Sequence, residues 1–246
     1  MKTTDTPAIP RRNQLRIKIF SDGADLDSIQ EVYQKRTVHG FTTNPTLMAR
    51  AGVTNYLTFA KEVLRVVPDL PVSFEVFADD FEGMRRQAFI LNDLAENVYV
   101  KIPITNTKHE SACPLIHELA HQDIKLNITA LMTLAQVRAV AAALDPRTSA
   151  FVSVFAGRIA DTGCDPLPVM QAALHILKSL PKAELLWASP REALNILQAD
   201  QMGCHIITVT PDLLAKANNF GKDLDEFSLD TVKMFYNDAV KSGFSL

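Results

Sequence analysis

The 246-residue sequence predicts an α/β fold: a single closed (β/α)8 TIM barrel with an extra C-terminal helix. Three observations predict it. Eight short apolar runs alternate with helically periodic segments over about 200 residues, the pattern of a parallel sheet wrapped by helices. Several runs are continuously apolar rather than alternating, as strands buried on both faces are. No linker, repeat or low-complexity tract divides the chain. A doubly wound open sheet is the alternative.

Residues 1–15 are polar, contain Pro7, Pro10, Arg11 and Arg12, and lack the apolar core of a secretory signal; they read as a flexible arm. The barrel is expected over 16–246, including a C-terminal helical segment at 219–246. Candidate strands are 16–20, 40–43, 72–77, 98–102, 124–128, 150–155, 184–187 and 204–209. Asp25 is a good N-cap for a helix at 26–35. A helix at 130–144 carries Leu131, Leu134, Val137, Val140, Ala141 and Leu144 on one face, with Thr129 as its cap. Helices at 166–180 and 190–199 place proline in their first turn, where its missing N–H is tolerated. Phe227, Val232, Phe235 and Tyr236 mark the last helix.

Composition excludes several classes. The net charge is −3 and no block of like charges occurs, so nucleic acid is not an expected partner. No apolar stretch is long enough to span a membrane. Cys113, Cys164 and Cys204 are odd in number and widely spaced, which fits neither a disulfide framework nor a zinc cluster. The default setting is reducing and cytoplasmic. Cys164 and Cys204 read as small buried residues, and Trp187 as core. The 9 glycines fall below the roughly 17 that average usage would give. Neither a Gly-x-Gly-x-x-Gly fingerprint nor a P-loop can be written. A bound phosphate would be held mostly by side chains.

Lys101 is the most informative residue, set in Val98-Tyr99-Val100-Lys101-Ile102-Pro103. Burial favours a neutral amine over an ammonium, and a neutral amine is the nucleophile that forms a Schiff base with a carbonyl. The alternative is a lysine at a strand end that reaches solvent along its apolar stem. Other polar residues stand at strand ends: Asp22, Asn44, Glu75, Asn127, Thr129, Ser153, Arg158, Ser189 and Arg191. In a (β/α)8 barrel these share the C-terminal rim, where active sites are built.

At this point the residues resemble a known family. Gly40-Phe41-Thr42-Thr43-Asn44-Pro45 resembles the Gly-x-Thr-Thr-Asn-Pro signature of the transaldolase family of class I aldolases, and the Lys101 segment its Schiff-base strand. Lys125–Thr129, Val154–Ile159 and Ala188–Arg191 match three further segments in the same order. The resemblance implies that Lys101 forms an imine with a ketose carbonyl and that Asp22 is the acid/base at the cleaved bond. It implies that Glu75 and Thr129 move protons through a water. Thr43, Asn44, Asn127, Ser153 and Phe155 fall at substrate-binding positions, with Asn44, Asn127 and Ser153 holding the dihydroxyacetone unit. Arg158, Ser189 and Arg191 hold the phosphate. No metal or other cofactor is implied. The implied reaction moves dihydroxyacetone from a ketose phosphate (sedoheptulose 7-phosphate or fructose 6-phosphate) to an aldose phosphate. Small members of the family form pentamers or decamers.

One branch, the fructose-6-phosphate aldolases, releases free dihydroxyacetone. It typically has Gln in place of Glu75 and Tyr in place of Phe155, so transfer is the favoured reading. A non-catalytic sugar-phosphate binder would not need Lys101, Asp22 and Glu75 together. One departure stands out: Thr105–Ser111 replaces a Thr-x-x-Gly segment after the lysine strand. Lys108 and His109 there would reach a second anionic group or be solvated. His117-Glu118-Leu119-Ala120-His121 spells the His-Glu-x-x-His zinc motif. It falls in an outer helix with no third ligand nearby, which favours an ordinary helix.

Overall fold

In each apolar run successive side chains point to opposite faces, so a strand offers one residue in two to the barrel interior. The computed structural model describes residues 14–245. Its eight strands are β1 (Lys18–Asp22), β2 (Gly40–Thr42), β3 (Val72–Glu75), β4 (Val98–Pro103), β5 (Leu126–Leu131), β6 (Ala150–Val154), β7 (Ala183–Trp187) and β8 (Ile206–Val209). All pair in parallel in sequence order, and β8 pairs with β1. The sheet is therefore closed, and the open-sheet alternative is set aside. The helices are α1 (Leu26–Gln34), α2 (Pro45–Arg50), α3 (Tyr56–Val66), α4 (Phe81–Asn92), α5 (Cys113–Ala120) and α6 (Leu134–Ala143). They continue with α7 (Ala156–Asp161), α8 (Leu167–Leu177), α9 (Leu194–Gln201), α10 (Pro211–Lys216) and α11 (Leu224–Ser242).

The strand interior is layered. Phe20, Phe151, Leu186, Ala188 and Ile206 form a buried cluster with Tyr99 and Phe155 against it. Phe151 meets Phe20 edge-on at 5.4 Å and stacks on Tyr99 at 3.9 Å. Two residues further along the same strands stand Asp22, Lys101 and Ser153. Period-two geometry thus sets a polar layer directly above an aromatic floor.

Three local expectations need correction. β5 runs on to Leu131, so Thr129 and Leu131 are strand residues. Thr133 caps α6 instead, in a reciprocal capping box with Gln136. Pro190 precedes α9, which starts at Leu194. Cys164 is exposed, whereas Cys204 and Trp187 are buried as expected. The arm expected at 1–15 falls almost wholly outside the described residues.

The described residues form two compact units. Arg16–Leu214 is the barrel, and the residues from Ala215 onward make a second, helical unit. Its long helix α11 is capped by Asp223, which accepts from Asp225 N and Glu226 N, and ends at left-handed Gly243. No helix among the described residues is long and apolar enough to cross a membrane.

Gly40 faces the floor from β2. A Cβ there would lie 2.6–2.8 Å from the Phe20 ring. Gly40→Ala is expected to lose about 1–3 kcal/mol of stability, the usual cost of overpacking a filled core, measured by urea denaturation.

Candidate active site

The C-terminal ends of the strands surround a cavity of about 610 Å³. Asp22, Asn44, Glu75, Lys101, Asn127, Thr129, Ser153, Phe155, Arg158, Ser189 and Arg191 all line it. Eleven of the twelve sequence candidates thus converge on one space. Thr43 does not line it: its hydroxyl donates to Ser73 O at 3.1 Å, and only its carbonyl reaches inward, accepting from Lys101 Nζ at 3.1 Å.

Parallel register brings the central pair together. Glu75 on β3 lies directly beside Lys101 on β4. Their side chains meet at 3.0 Å, Nζ to Oε2, with the lysine only 7% exposed. Asp22 stands on β1, two strands before Glu75, and pairs with Thr42 on the intervening β2. The Thr42 hydroxyl lies 2.7 Å from Asp22 Oδ1 and 2.6 Å from Thr208 Oγ1. Burial pushes the Asp22 carboxyl above the usual aspartate range; the Lys101 charge and the Thr42 hydrogen bond oppose this, and Glu75 adds to it. Desolvation therefore outweighs attraction at this carboxylate.

A hydroxyl–amide chain forms the adjoining wall. Ser153 Oγ donates to Asn127 Oδ1 at 2.6 Å, and Asn127 Nδ2 donates to Ser73 Oγ at 3.0 Å. Asn44 gives its Oδ1 to the α2 N-terminus, accepting from Leu47 N at 3.0 Å. β5 carries one extra residue here: Ile128 pairs with Val152, but Leu131 pairs with Val154. This bulge turns two successive residues, Thr129 and Ala130, to the cavity. Ala130 has φ 64°, a costly conformation without glycine. Thr129 Oγ1 is buried with no hydrogen-bond partner among the described residues. Such a group calls for a water or a substrate hydroxyl.

The far wall is cationic. Arg191 forks onto Asp161, Nε to Oδ1 at 2.8 Å and Nη2 to Oδ2 at 2.5 Å. Its Nη1 reaches Ser189 Oγ at 3.1 Å. The Arg191 fork, with the Arg158 charge nearby, holds Asp161 below the usual range. Ser189 has φ 59°, and a Cβ on Gly157 would fall 1.6 Å from its carbonyl oxygen. Only glycine lets α7, which carries Arg158, approach the loop that carries Ser189 and Arg191 so closely.

Several lining residues were not expected: Thr42, Thr208, Thr46 and Arg50. Thr42 and Thr208 occupy inward positions two residues after Gly40 and Ile206, so strand alternation would have found them. Arg50 ends α2, a six-residue helix too short to leave a periodic signal. Conversely, Lys108 and His109 are exposed and do not line the cavity. Their loop closes on itself through a Thr105–Ser111 bridge and Asn106, and Thr107 binds Asp79. The His-Glu-x-x-His segment lies on α5. Glu118 pairs with Arg85 at 2.7 Å, and the two imidazoles lie tilted at 41° with their centroids 3.9 Å apart. Among the described residues no cluster of three or more His, Cys, Asp or Glu could hold a metal ion.

Comparison with known proteins adds an independent line. The Transaldolase/Fructose-6-phosphate aldolase family profile matches residues 19–246. A "Probable transaldolase" of Thermoanaerobacter sp. (strain X514) is 34% identical over 194 residues, 78% of this chain and 85% of that protein. Another, from Methanococcus maripaludis (strain C5), is 33% identical over 204 residues, 82% of this chain and 90% of its own. Among solved structures, dihydrodipicolinate synthase from Rhodopseudomonas palustris superposes with a TM-score of 0.58 at 13% identity, covering 95% of this chain and 82% of that one. The 3-keto-L-gulonate-6-phosphate decarboxylase from Vibrio cholerae gives 0.55 at 14%, covering 85% and 95%. At that identity the two structures attest the barrel alone. The extended profile match and the relatives above 30% identity place this chain in the transaldolase/fructose-6-phosphate aldolase family.

Proposed function

We propose that this enzyme transfers a dihydroxyacetone unit from a ketose phosphate, sedoheptulose 7-phosphate or fructose 6-phosphate, to an aldose phosphate. The observation that carries the reading is Lys101 Nζ, buried at the centre of the cavity and 3.0 Å from the Glu75 carboxylate. Lys101 attacks the ketose carbonyl. Water leaves, and the resulting protonated imine accepts, as an enamine, the electron pair released when the bond between the α and β carbons breaks. Asp22 takes the hydroxyl proton in that step; its carboxyl, raised by burial, is poised to return it. Glu75 and the unpartnered Thr129 hydroxyl bracket the place of a proton-carrying water. Asn44, Asn127 and Ser153 present amide and hydroxyl groups for the three-carbon unit. Arg158, Ser189 and Arg191 hold the phosphate, for which guanidinium forks are suited.

Transfer rather than release is favoured by Phe155, which lines the cavity without a hydroxyl. The aldolase branch typically offers a tyrosine there, able to donate a proton as the three-carbon unit departs. A place in pentose phosphate metabolism and a cytoplasmic setting, in keeping with three free thiols, belong to the same reading. We further propose a homo-oligomer, a pentamer or decamer. α11 has no buried residue, and it exposes Val232, Phe235, Tyr236 and Val240. Light scattering is expected to give five or ten times the 27.2 kDa of one chain; a monomer mass would refute the assembly.

Borohydride with fructose 6-phosphate is expected to trap a covalent adduct on Lys101, and Lys101→Ala to abolish both adduct and turnover. Full turnover in Lys101→Ala would overturn the Schiff-base reading; free dihydroxyacetone formed without an acceptor would favour the aldolase reading. Asp22→Asn is expected to abolish turnover yet raise Tm. A carboxyl whose folded pKa is raised costs stability once ionised, above that pKa, and costs nothing below the unfolded value of 3.8. The gain in Tm, about 2–4 °C per kcal/mol for a chain of this size, should therefore be present at neutral pH and fade as pH falls through the raised value.

A further inference from the structure

The β2–β3 ladder stops one step short of the catalytic pair. Phe41 N donates to Pro71 O at 2.8 Å, and Thr43 N donates to Ser73 O at 3.2 Å. The same two-residue spacing would next join residue 45 to Glu75 O. Residue 45 is Pro45, which has no N–H. The Glu75 carbonyl thus loses its ladder donor at the residue whose carboxylate meets Lys101. Tyr56 replaces it: its hydroxyl, on the first residue of α3, donates to Glu75 O at 2.6 Å. The Tyr56 ring is held against Phe77 at 5.3 Å, and Asn55 caps the helix start by accepting from Thr58 N at 2.9 Å. On the other side of β3, Val76 N donates to Lys101 O at 3.0 Å. The Glu75–Val76 peptide plane is therefore anchored from two directions, its N–H by the β4 backbone and its carbonyl by a side chain.

We propose that Tyr56 is a positioning residue for Glu75: by hydrogen-bonding the carbonyl that Pro45 leaves without a donor, it fixes the peptide from which the Glu75 carboxylate reaches Lys101. Without that bond the peptide is held only through Val76 N, on its β4 side, and can tilt about that bond, which swings the carboxylate relative to Nζ. Tyr56 does not line the cavity. Its effect should fall on proton transfer during imine formation and hydrolysis, not on sugar-phosphate binding at Arg158, Ser189 and Arg191. This inference rests on the proposed roles of Lys101 and Glu75.

Tyr56→Phe keeps the ring and removes the donor. It is expected to lower kcat and the borohydride trapping rate about tenfold, in the range that small misplacements of a catalytic group cost. KM for fructose 6-phosphate should stay within about twofold if the phosphate wall is unmoved. Val63→Ala, on the buried face of the same helix, serves as a destabilised control. It should lower Tm and leave kcat unchanged. Wild-type kcat and trapping rate in Tyr56→Phe would overturn the proposal, as would an equal loss of kcat in Val63→Ala. Absence of a Lys101 adduct in the unsubstituted enzyme would overturn both this inference and the functional reading. An adduct formed equally fast with and without the Tyr56 hydroxyl would overturn this inference alone.

Discussion

The constraint on which the site depends is the pairing of a buried lysine with a half-buried glutamate across adjacent parallel strands. Lys101 and Glu75 share a register position, so the barrel fixes their separation before any side-chain choice is made. An unpaired ammonium in such a place would be strongly unfavourable. Pairing makes the amine tolerable, and the desolvation of the layer is felt at Asp22. Asp22 records the balance: burial raises its pKa although Lys101 pulls the other way. The aromatic floor is what imposes this desolvation. Phe20, Tyr99 and Phe151 close the barrel beneath the polar layer. The floor that stabilises the fold also closes the cavity beneath the three ionisable groups.

The phosphate wall follows a different electrostatic logic. Arg191 is not a free cation: Asp161 occupies two of its donors and Ser189 a third. The fork fixes the guanidinium plane, so less side-chain freedom remains to be lost when an anion arrives. The cost is charge, since the carboxylate cancels one of the two guanidiniums near it. Arg158, which also feels Asp161, supplies the remainder. The Gly157–Ser189 contact holds these parts in one unit by bringing backbone directly onto backbone. A chain poor in glycine thus spends one where no Cβ fits, and the phosphate reading rests on side chains set by that contact.

Much of the site was legible in the sequence because strands have a period of two and end at a common rim. All eight strands were placed to within a few residues, and ten polar candidates and Phe155 reach one cavity. What failed was local. Thr129 reads equally as strand end or helix cap, and the β5 bulge, which decides the matter, has no composition signal. Thr43 belongs to a recognisable signature, yet parity turns its side chain away from the cavity and leaves only its carbonyl there. Asp161 was missed because its role is to hold an arginine that is distant in sequence. Arg50 was missed because one and a half turns of helix carry no periodicity.

Pro45 shows how one residue can satisfy a local rule and create a non-local demand. As the first residue of α2 it is well placed, because that N–H would be unpaired in the helix and proline lacks it. The same missing N–H leaves the β2–β3 ladder without its next donor. Buried backbone carbonyls are rarely left unsatisfied, so a hydroxyl must come from elsewhere. It comes from Tyr56, eleven residues along the chain, across the turn that joins α2 to α3. The Asn44-Pro45 pair therefore has two consequences. Asn44 caps the helix that forms one wall of the cavity. Pro45 transfers the support of the Glu75 carbonyl from backbone to side chain, so one of the two anchors of the peptide beside the Lys101–Glu75 pair comes from a group outside the sheet.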